Sequence, residues 1–203
     1  MQFILATANP DKAREIEAVL AAAGLDVELV PRPADISAVD ETGLTLEENA
    51  RLKAEALCAA TGAAAIADDT GLEVDALGGA PGVRSARFAG ADATYADNVA
   101  LLLERLAGVP AAERTARFAT VALARFPDGR EVAAFGEVTG TITSEARGGE
   151  GFGYDPVFAP HEGDGRTFAE MAPAEKHVLS HRGRAFRTLA DGLRITAALE
   201  GQQ

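Results

Sequence analysis

Two adjacent aspartates, Asp68 and Asp69, follow the short apolar run Ala63-Ala64-Ala65-Ile66-Ala67 and precede a glycine-studded stretch reaching Gly90. The apolar run predicts a buried strand that would deliver both carboxylates at its carboxyl end, where open α/β sheets place their ligands. Carboxylates side by side repel. The usual compensations are a divalent cation, a shared proton or a nearby basic group. The same residues also suit a solvated junction between strand and turn. The cations of the chain are unevenly divided: sixteen are arginines and only three, Lys12, Lys53 and Lys176, are lysines. Lysine offers a compact point charge where a planar fork does not fit, as beside a phosphate.

Three further groups of residues suggest chemistry. The loop Thr7-Ala8-Asn9-Pro10-Asp11-Lys12 leads from a predicted strand into a helix, and free N–H groups at a helix amino terminus favour an anion. Thr7, Asn9 and Lys12 add side-chain donors, although the loop lacks the glycines and the Gly-Lys-Ser/Thr ending of a Walker A loop. Asn49 and Lys53 are four apart and share a helix face, shortly after Glu41. Glu41, Asp68 and Asp69 together supply the one or two carboxylates through which Mg²⁺ is typically held while substrate phosphates complete its shell. Near the carboxyl end, His177 and His181 have the spacing of a zinc helix, but no Glu follows His177 and no third ligand is evident. His181 and Arg182 read better as hydrogen-bonding partners for a flat polar group such as a nucleobase. Phe152 and Tyr154, on the loop Gly148-Gly149-Glu150-Gly151-Phe152-Gly153, would stack on such a ring, with Asp155 accepting from its N–H groups; alternatively these aromatics are core.

The elements that must position these residues form one α/β chain. With 203 residues, 47% of them hydrophobic and 25% charged, the sequence supports one sizeable core and a single domain over 1–203. Strands are predicted over Phe3 to Thr7 and Asp26 to Val30, and helices over Asp11 to Ala23, from Thr45 to about Ala60 behind a Thr45/Glu48 capping box, and from Thr94 to about Ala107. Thr115 to Phe126 and Glu131 to Glu145 flank the turn Pro127-Asp128-Gly129 and predict an antiparallel hairpin, so the sheet is mixed. A last helix runs through Phe186, Leu189, Leu193 and Ala197. The expected architecture is a mixed central sheet with flanking helices, in two lobes around a cleft.

Composition excludes several function classes. The net charge of -12 argues against general binding to nucleic-acid backbones or anionic membranes, which would require a broad basic face. The start of the chain carries no basic flank and too short an apolar run for a signal peptide or membrane span, which points to the cytoplasm. Cys58 is the single cysteine, so no intramolecular disulfide framework exists.

Taken together, TANPDK at 7–12, ETGLTLEENARLKA at 41–54, ADDTGLEVDALGGAPGVRSARFAG at 67–90, GFGYDPVF at 151–158 and SHRGRA at 180–185 resemble the inosine triphosphate pyrophosphatase-like family. The resemblance covers essentially the whole chain, in order. It implies that family's elongated sheet with two lobes, a homodimer, and Mg²⁺-dependent hydrolysis of dITP, ITP and XTP to monophosphate and pyrophosphate. It further implies that Thr7, Ala8, Asn9, Pro10, Asp11, Lys12 and Lys53 cradle the triphosphate. Asp69 would be general base and metal ligand, Glu41 a second metal ligand, and Thr70 a substrate contact. Asp68 would be an alternative metal ligand and a supporting or alternative base that sequence alone does not separate from Asp69. Phe152, Gly153, Tyr154, Asp155, Lys176, His181 and Arg182 would form the base and sugar site. Two departures from the pattern are small: Ala8 and Pro10 stand where relatives commonly have glycine or another residue, and Thr70 replaces a frequent serine. Pro10 removes one N–H donor from the cradle. Other readings of the same residues are a pyrophosphatase for pyrimidine triphosphates and a nucleotide sensor that does not hydrolyse. A haloacid-dehalogenase-type phosphatase fits less well, because its two aspartates are spaced by one residue.

Overall fold

A computed structural model describes residues 1–37 and 39–200; residue 38 and residues 201–203 of the expected 1–203 domain lie outside the described residues. The elements run in the order β1 (Gln2–Leu5), α1 (Pro10–Ala22), β2 (Glu28–Pro31), α2 (Leu46–Thr61), β3 (Ala65–Val74), β4 (Pro81–Gly82), α3 (Tyr95–Arg105), β5 (Thr115–Arg125), β6 (Glu131–Ile142), β7 (Phe158–Pro160), α4 (Pro173–Leu179) and α5 (His181–Glu200). The sheet order is β2-β1-β3-β5-β6-β7, with β4 paired to β3. Strand β1 is parallel to both β2 and β3, whereas β4 on β3 and β7 on β6 are antiparallel, so the sheet is mixed as expected. The residues between β5 and β6 are too few for a parallel crossover, and Phe126 and Arg130 close the turn through a 2.9 Å backbone bond.

Local signals explain where the helices begin. Asn9 caps α1 by accepting from the N–H groups of Asp11 and Lys12 at 2.9 and 3.3 Å. Pro10 then occupies a first-turn position whose N–H has no intrahelical acceptor in any case. Thr45 and Glu48 form the reciprocal capping box of α2, which Gly62 ends with a left-handed φ of 67°. Thr94 and Asp97 do the same for α3.

The structure corrects the first strand-to-turn boundary. The strand that begins at Ala65 does not stop before the aspartates but continues to Val74, so Asp68 and Asp69 lie inside β3 and not at its end. Asp, Thr and Gly have turn propensity, yet backbone pairing to neighbouring strands overrides it here: Leu72 and Glu73 pair with Gly82 and Pro81 of β4. Helix α4 was not anticipated. It ends at Ser180, whose ψ of 153° is extended, so His177 and His181 lie on different helices and the zinc-helix spacing is not realised.

The chain divides into two compact units. One comprises Met1–Asp69, Thr120–Gly136 and Arg182 onward; the other comprises Thr70–Ala119 and Glu137–His181. In the first unit the sheet is covered on both faces. Phe3, Leu5, Ile66, Ala122 and Ala124 pack with Ile16, Val19 and Leu20 of α1 and Phe186, Leu189 and Leu193 of α5. Alternate residues Ile4, Ala65, Ala67, Val121 and Leu123 pack with Ala50, Ala54, Leu57 and Cys58 of α2. The second unit has its own core of Leu72, Val74, Val99, Leu102, Phe118, Val138, Phe158 and Phe168. Among the described residues no helix is long and apolar enough to cross a membrane.

Candidate functional site

Strand alternation decides what the paired aspartates do. Asp68 has the parity of Ile66 and faces α1 and α5; Asp69 has the parity of Ala67 and faces α2. The adjacent carboxylates therefore do not share one site, contrary to the expectation of a side-by-side pair. Asp68 is buried and its Oδ2 lies 3.2 Å from Lys12 Nζ and 3.5 Å from Arg182 Nη2. Arg182 also donates to Glu15 Oε2 at 2.6 Å. On the other face, Asp69 Oδ1 accepts from Lys53 Nζ at 2.9 Å, and Lys53 also donates to Glu41 Oε1 at 3.0 Å. The second oxygen, Asp69 Oδ2, accepts from Asn49 Nδ2 at 3.2 Å.

These surroundings drive the two carboxyls apart in acidity. Burial alone would raise Asp68, but the positive charges of Lys12, Arg182 and Lys53 outweigh it and hold the group well below the ordinary carboxylate range. Asp69 moves the other way: burial raises it, Glu41 adds to the rise, and Lys53 and Lys12 only partly oppose them. Lys53 is raised overall, because Asp69, Asp68 and Glu41 together outweigh the burial that would lower it. Neighbouring acids with separated values are the arrangement in which one stays charged and the other can exchange a proton.

The donor set suits a hard divalent cation. Glu41 and Asp69 converge on one ammonium, that of Lys53, while on the other face Asp68 and Glu15 are set against Lys12 and Arg182. Among the described residues no three His, Cys, Asp or Glu side chains are grouped as a complete metal cage. That is compatible with Mg²⁺, which is commonly held through one or two carboxylates with water and phosphate oxygens supplying the rest.

The loop at 7–12 is shaped mainly by its own bonds. Thr7 Oγ1 accepts from Asn9 N–H at 3.1 Å, and Asn9 Oδ1 is occupied by the α1 cap. Lys12 projects from the first turn of α1 to Asp68. A cavity of about 280 Å³ opens beside the loop, lined by Thr7, Ala8, Leu29, Arg32 and Pro33 among others; none of Glu41, Asp68, Asp69, Lys12 and Lys53 lines it. The charged cluster and this cavity are thus separate features.

A second cluster lies in the other unit and is built on rings. Lys176 Nζ donates to Asp155 Oδ2 at 2.6 Å, with both side chains buried, and stands 4.9 Å from the Phe152 ring centre. The same Asp155 oxygen accepts from Phe152 N–H at 2.8 Å, which fixes the glycine loop. His181 stacks on Phe118 at 4.4 Å between centroids and 14° between planes. Tyr154 is core: it is buried, its hydroxyl donates to Ser85 O at 2.9 Å, and burial pushes its phenol upward. Phe152 is half-buried, its ring 5.8 Å from that of Tyr95.

Residues 3–192 match the Ham1 family. The chain belongs to the Ham1 family. Over 195 residues this Ham1-family chain is 49% identical to a dITP/XTP pyrophosphatase of Streptomyces avermitilis, covering 95% of this chain and 97% of the relative. It is 48% identical over 200 residues to a dITP/XTP pyrophosphatase of Symbiobacterium thermophilum, covering 98% and 97%. Among solved structures, a HAM1 protein from Coxiella burnetii superposes with a TM-score of 0.86 at 36% identity, covering 96% of this chain and 98% of that one. The resemblance drawn from the five motifs is therefore correct.

In this Ham1-family chain, Glu41, Lys53 and Asp69 are brought together, as are Lys12, Asp68 and Arg182. Phe152, Asp155 and Lys176 form a third group; Gly153 has a φ of 62° in the same loop, and Thr70 follows Asp69 half-buried in β3. The Arg182 guanidinium bonds to Glu15 and Asp68. Sequence reasoning missed Glu15, Phe118 and the bonding of Asn49. Glu15 sits three residues beyond Lys12, and its neighbours Ile16 and Val19 mark that helix face as buried; a buried acid there signals a basic partner.

Proposed function

We propose that this protein hydrolyses the non-canonical purine nucleoside triphosphates dITP, ITP and XTP to the monophosphate and pyrophosphate, removing them from the nucleotide pool. The observation that carries this reading is the opposite placement of Asp68 and Asp69, each against its own lysine, with only Asp69 raised. The names of the relatives, dITP/XTP pyrophosphatases, support the substrate class.

In this reading Asp69 is the general base. A water oxygen forms a bond to the α-phosphorus, its proton passes to Asp69, and the bond between that phosphorus and the bridging oxygen breaks, the electron pair leaving with pyrophosphate. Lys12 and Lys53 meet the charge that grows on the leaving group. Asp68, ionised and engaged by Lys12 and Arg182, holds Lys12 in place and is a poor proton acceptor. Glu41 and Asp69 would hold Mg²⁺, which when bound would neutralise phosphate oxygens. Phe152 offers a face for stacking the base, backed by Lys176, which Asp155 holds beneath the ring, while His181 presents a donor to a 6-oxo group; adenine, with an amino donor there, would leave it unpaired. The protein acts as a cytoplasmic homodimer on free nucleotides and binds neither nucleic acid nor membranes, in keeping with its charge of -12.

The test is pyrophosphate release from ITP, dITP, XTP, GTP, ATP and dTTP, with Mg²⁺ and with chelator. Strong metal-dependent release from ITP and XTP is expected. Orthophosphate as the product, or preference for dTTP, would overturn the reading.

A further inference from the structure

Asn49 is fully buried in the first half of α2, and its amide is used at both ends. Its Oδ1 accepts from Gly43 N–H at 2.8 Å while its Nδ2 donates to Asp69 Oδ2 at 3.2 Å. The partners fix which end is which, because a reversed amide would set oxygen against a carboxylate and NH₂ against an N–H. One turn further along α2, Lys53 donates to the other oxygen of Asp69 at 2.9 Å and to Glu41 at 3.0 Å. Both oxygens of Asp69 thus receive a donor from the same helix, which fixes the plane of the carboxylate. Gly43 permits the approach: a β-carbon there would lie 2.7 Å from Asn49 Oδ1 and 2.7 Å from Glu48 Cβ. Glu41 stands two residues before that glycine.

We propose that Asn49 is a positioning residue for the hydrolysis: it sets the plane of the Asp69 carboxylate and pins the segment carrying Glu41 against it. The proposal rests on the reading of Asp69 as the base. The amide meets the requirement, since the position must donate on one side and accept on the other. Aspartate accepts only, and an aliphatic residue does neither.

Asn49→Asp keeps the volume and the acceptor for Gly43 but removes the donor to Asp69. Its kcat for ITP should fall about 10–100-fold, the range seen when groups that orient ligands are removed. Its KM should stay within about threefold, because the substrate-binding groups are untouched, while its thermal midpoint should fall, because a second buried carboxyl then faces Asp69; Gly43→Ala supplies the control without that charge. Gly43→Ala attacks the same contact from the other side with no change of charge and should give the same split between kcat and KM. Crystal structures of both variants should show the Asp69 carboxylate turned from its parental plane. A kcat within threefold of the parent in either folded variant, a rise in KM with kcat retained, or an unmoved Asp69 would overturn the role. If the parent itself releases no pyrophosphate, the hydrolase reading fails. The two crystal structures then decide the positioning role alone: a turned carboxylate supports it and an unmoved one refutes it.

Discussion

The two units handle buried charge in opposite ways. In the first, carboxylates and cations form two ion-pair sets on opposite faces of β3 in which each acid is balanced differently, so Asp68 is lowered and Asp69 raised. In the second, Lys176 and Asp155 close on one another, both side chains only 4% exposed, with the ammonium over an aromatic ring. An unevenly balanced group can move a proton or take on a cation, whereas a closed pair mainly builds shape. On the proposed reading, charge transfer falls to residues of the first unit and base recognition to residues of the second.

Substitutions that separate these roles test the contrast, and the largest effect belongs to Asp69. Asp69→Asn should lower kcat by about 10²–10⁴, the usual contribution of a general base, while the fold persists; steady-state pyrophosphate release and circular dichroism measure the two. Retained turnover would mean that the unequal acidities have no chemical use. Asp68→Asn should instead act on stability, by less than the roughly 3–5 kcal/mol of a fully broken buried pair, because it sets partly buried Lys12 against a neutral group and leaves Arg182 with Glu15 alone. Denaturant titration reads this directly. The sign with pH follows from the lowered acidity constant of Asp68. Its contribution is complete above the unfolded value of about 3.9 and is lost as pH falls toward the depressed folded value, so the variant should show a shallower acid limb of the thermal midpoint. The smallest change is expected in the aromatic cluster. Phe152→Leu should raise KM for ITP through loss of about 1–3 kcal/mol of stacking, with kcat little altered; a fall in kcat alone would show that the ring does more than hold the base.

Much of this arrangement was legible in the sequence, for reasons that also explain the gaps. Capping residues announced α2 and α3 because their bonds are local, within three residues of one another. The hairpin after Thr115 was readable because turn chemistry at Pro127-Asp128-Gly129 is equally local. The course of β3 was not, since Asp68-Asp69-Thr70-Gly71 has the composition of a turn and becomes strand only through pairing with distant segments. The opposite facing of the aspartates depends on that extension. Misjudging the strand end therefore produced the false picture of a shared carboxylate site. The partners of Arg182 were hidden for a related reason: Glu15, 167 positions away, leaves no trace in local spacing.

Neither unit is a continuous stretch of chain. The divisions fall at 69/70 within β3, 119/120 within β5, 136/137 within β6 and 181/182 within α5. No single cut can free one unit, and no single gene segment encodes it. A half of this protein could not be lent to another by simple fusion or duplicated alone, so nucleotide preference in such a chain has to change by substitution at individual positions, not by exchange of modules.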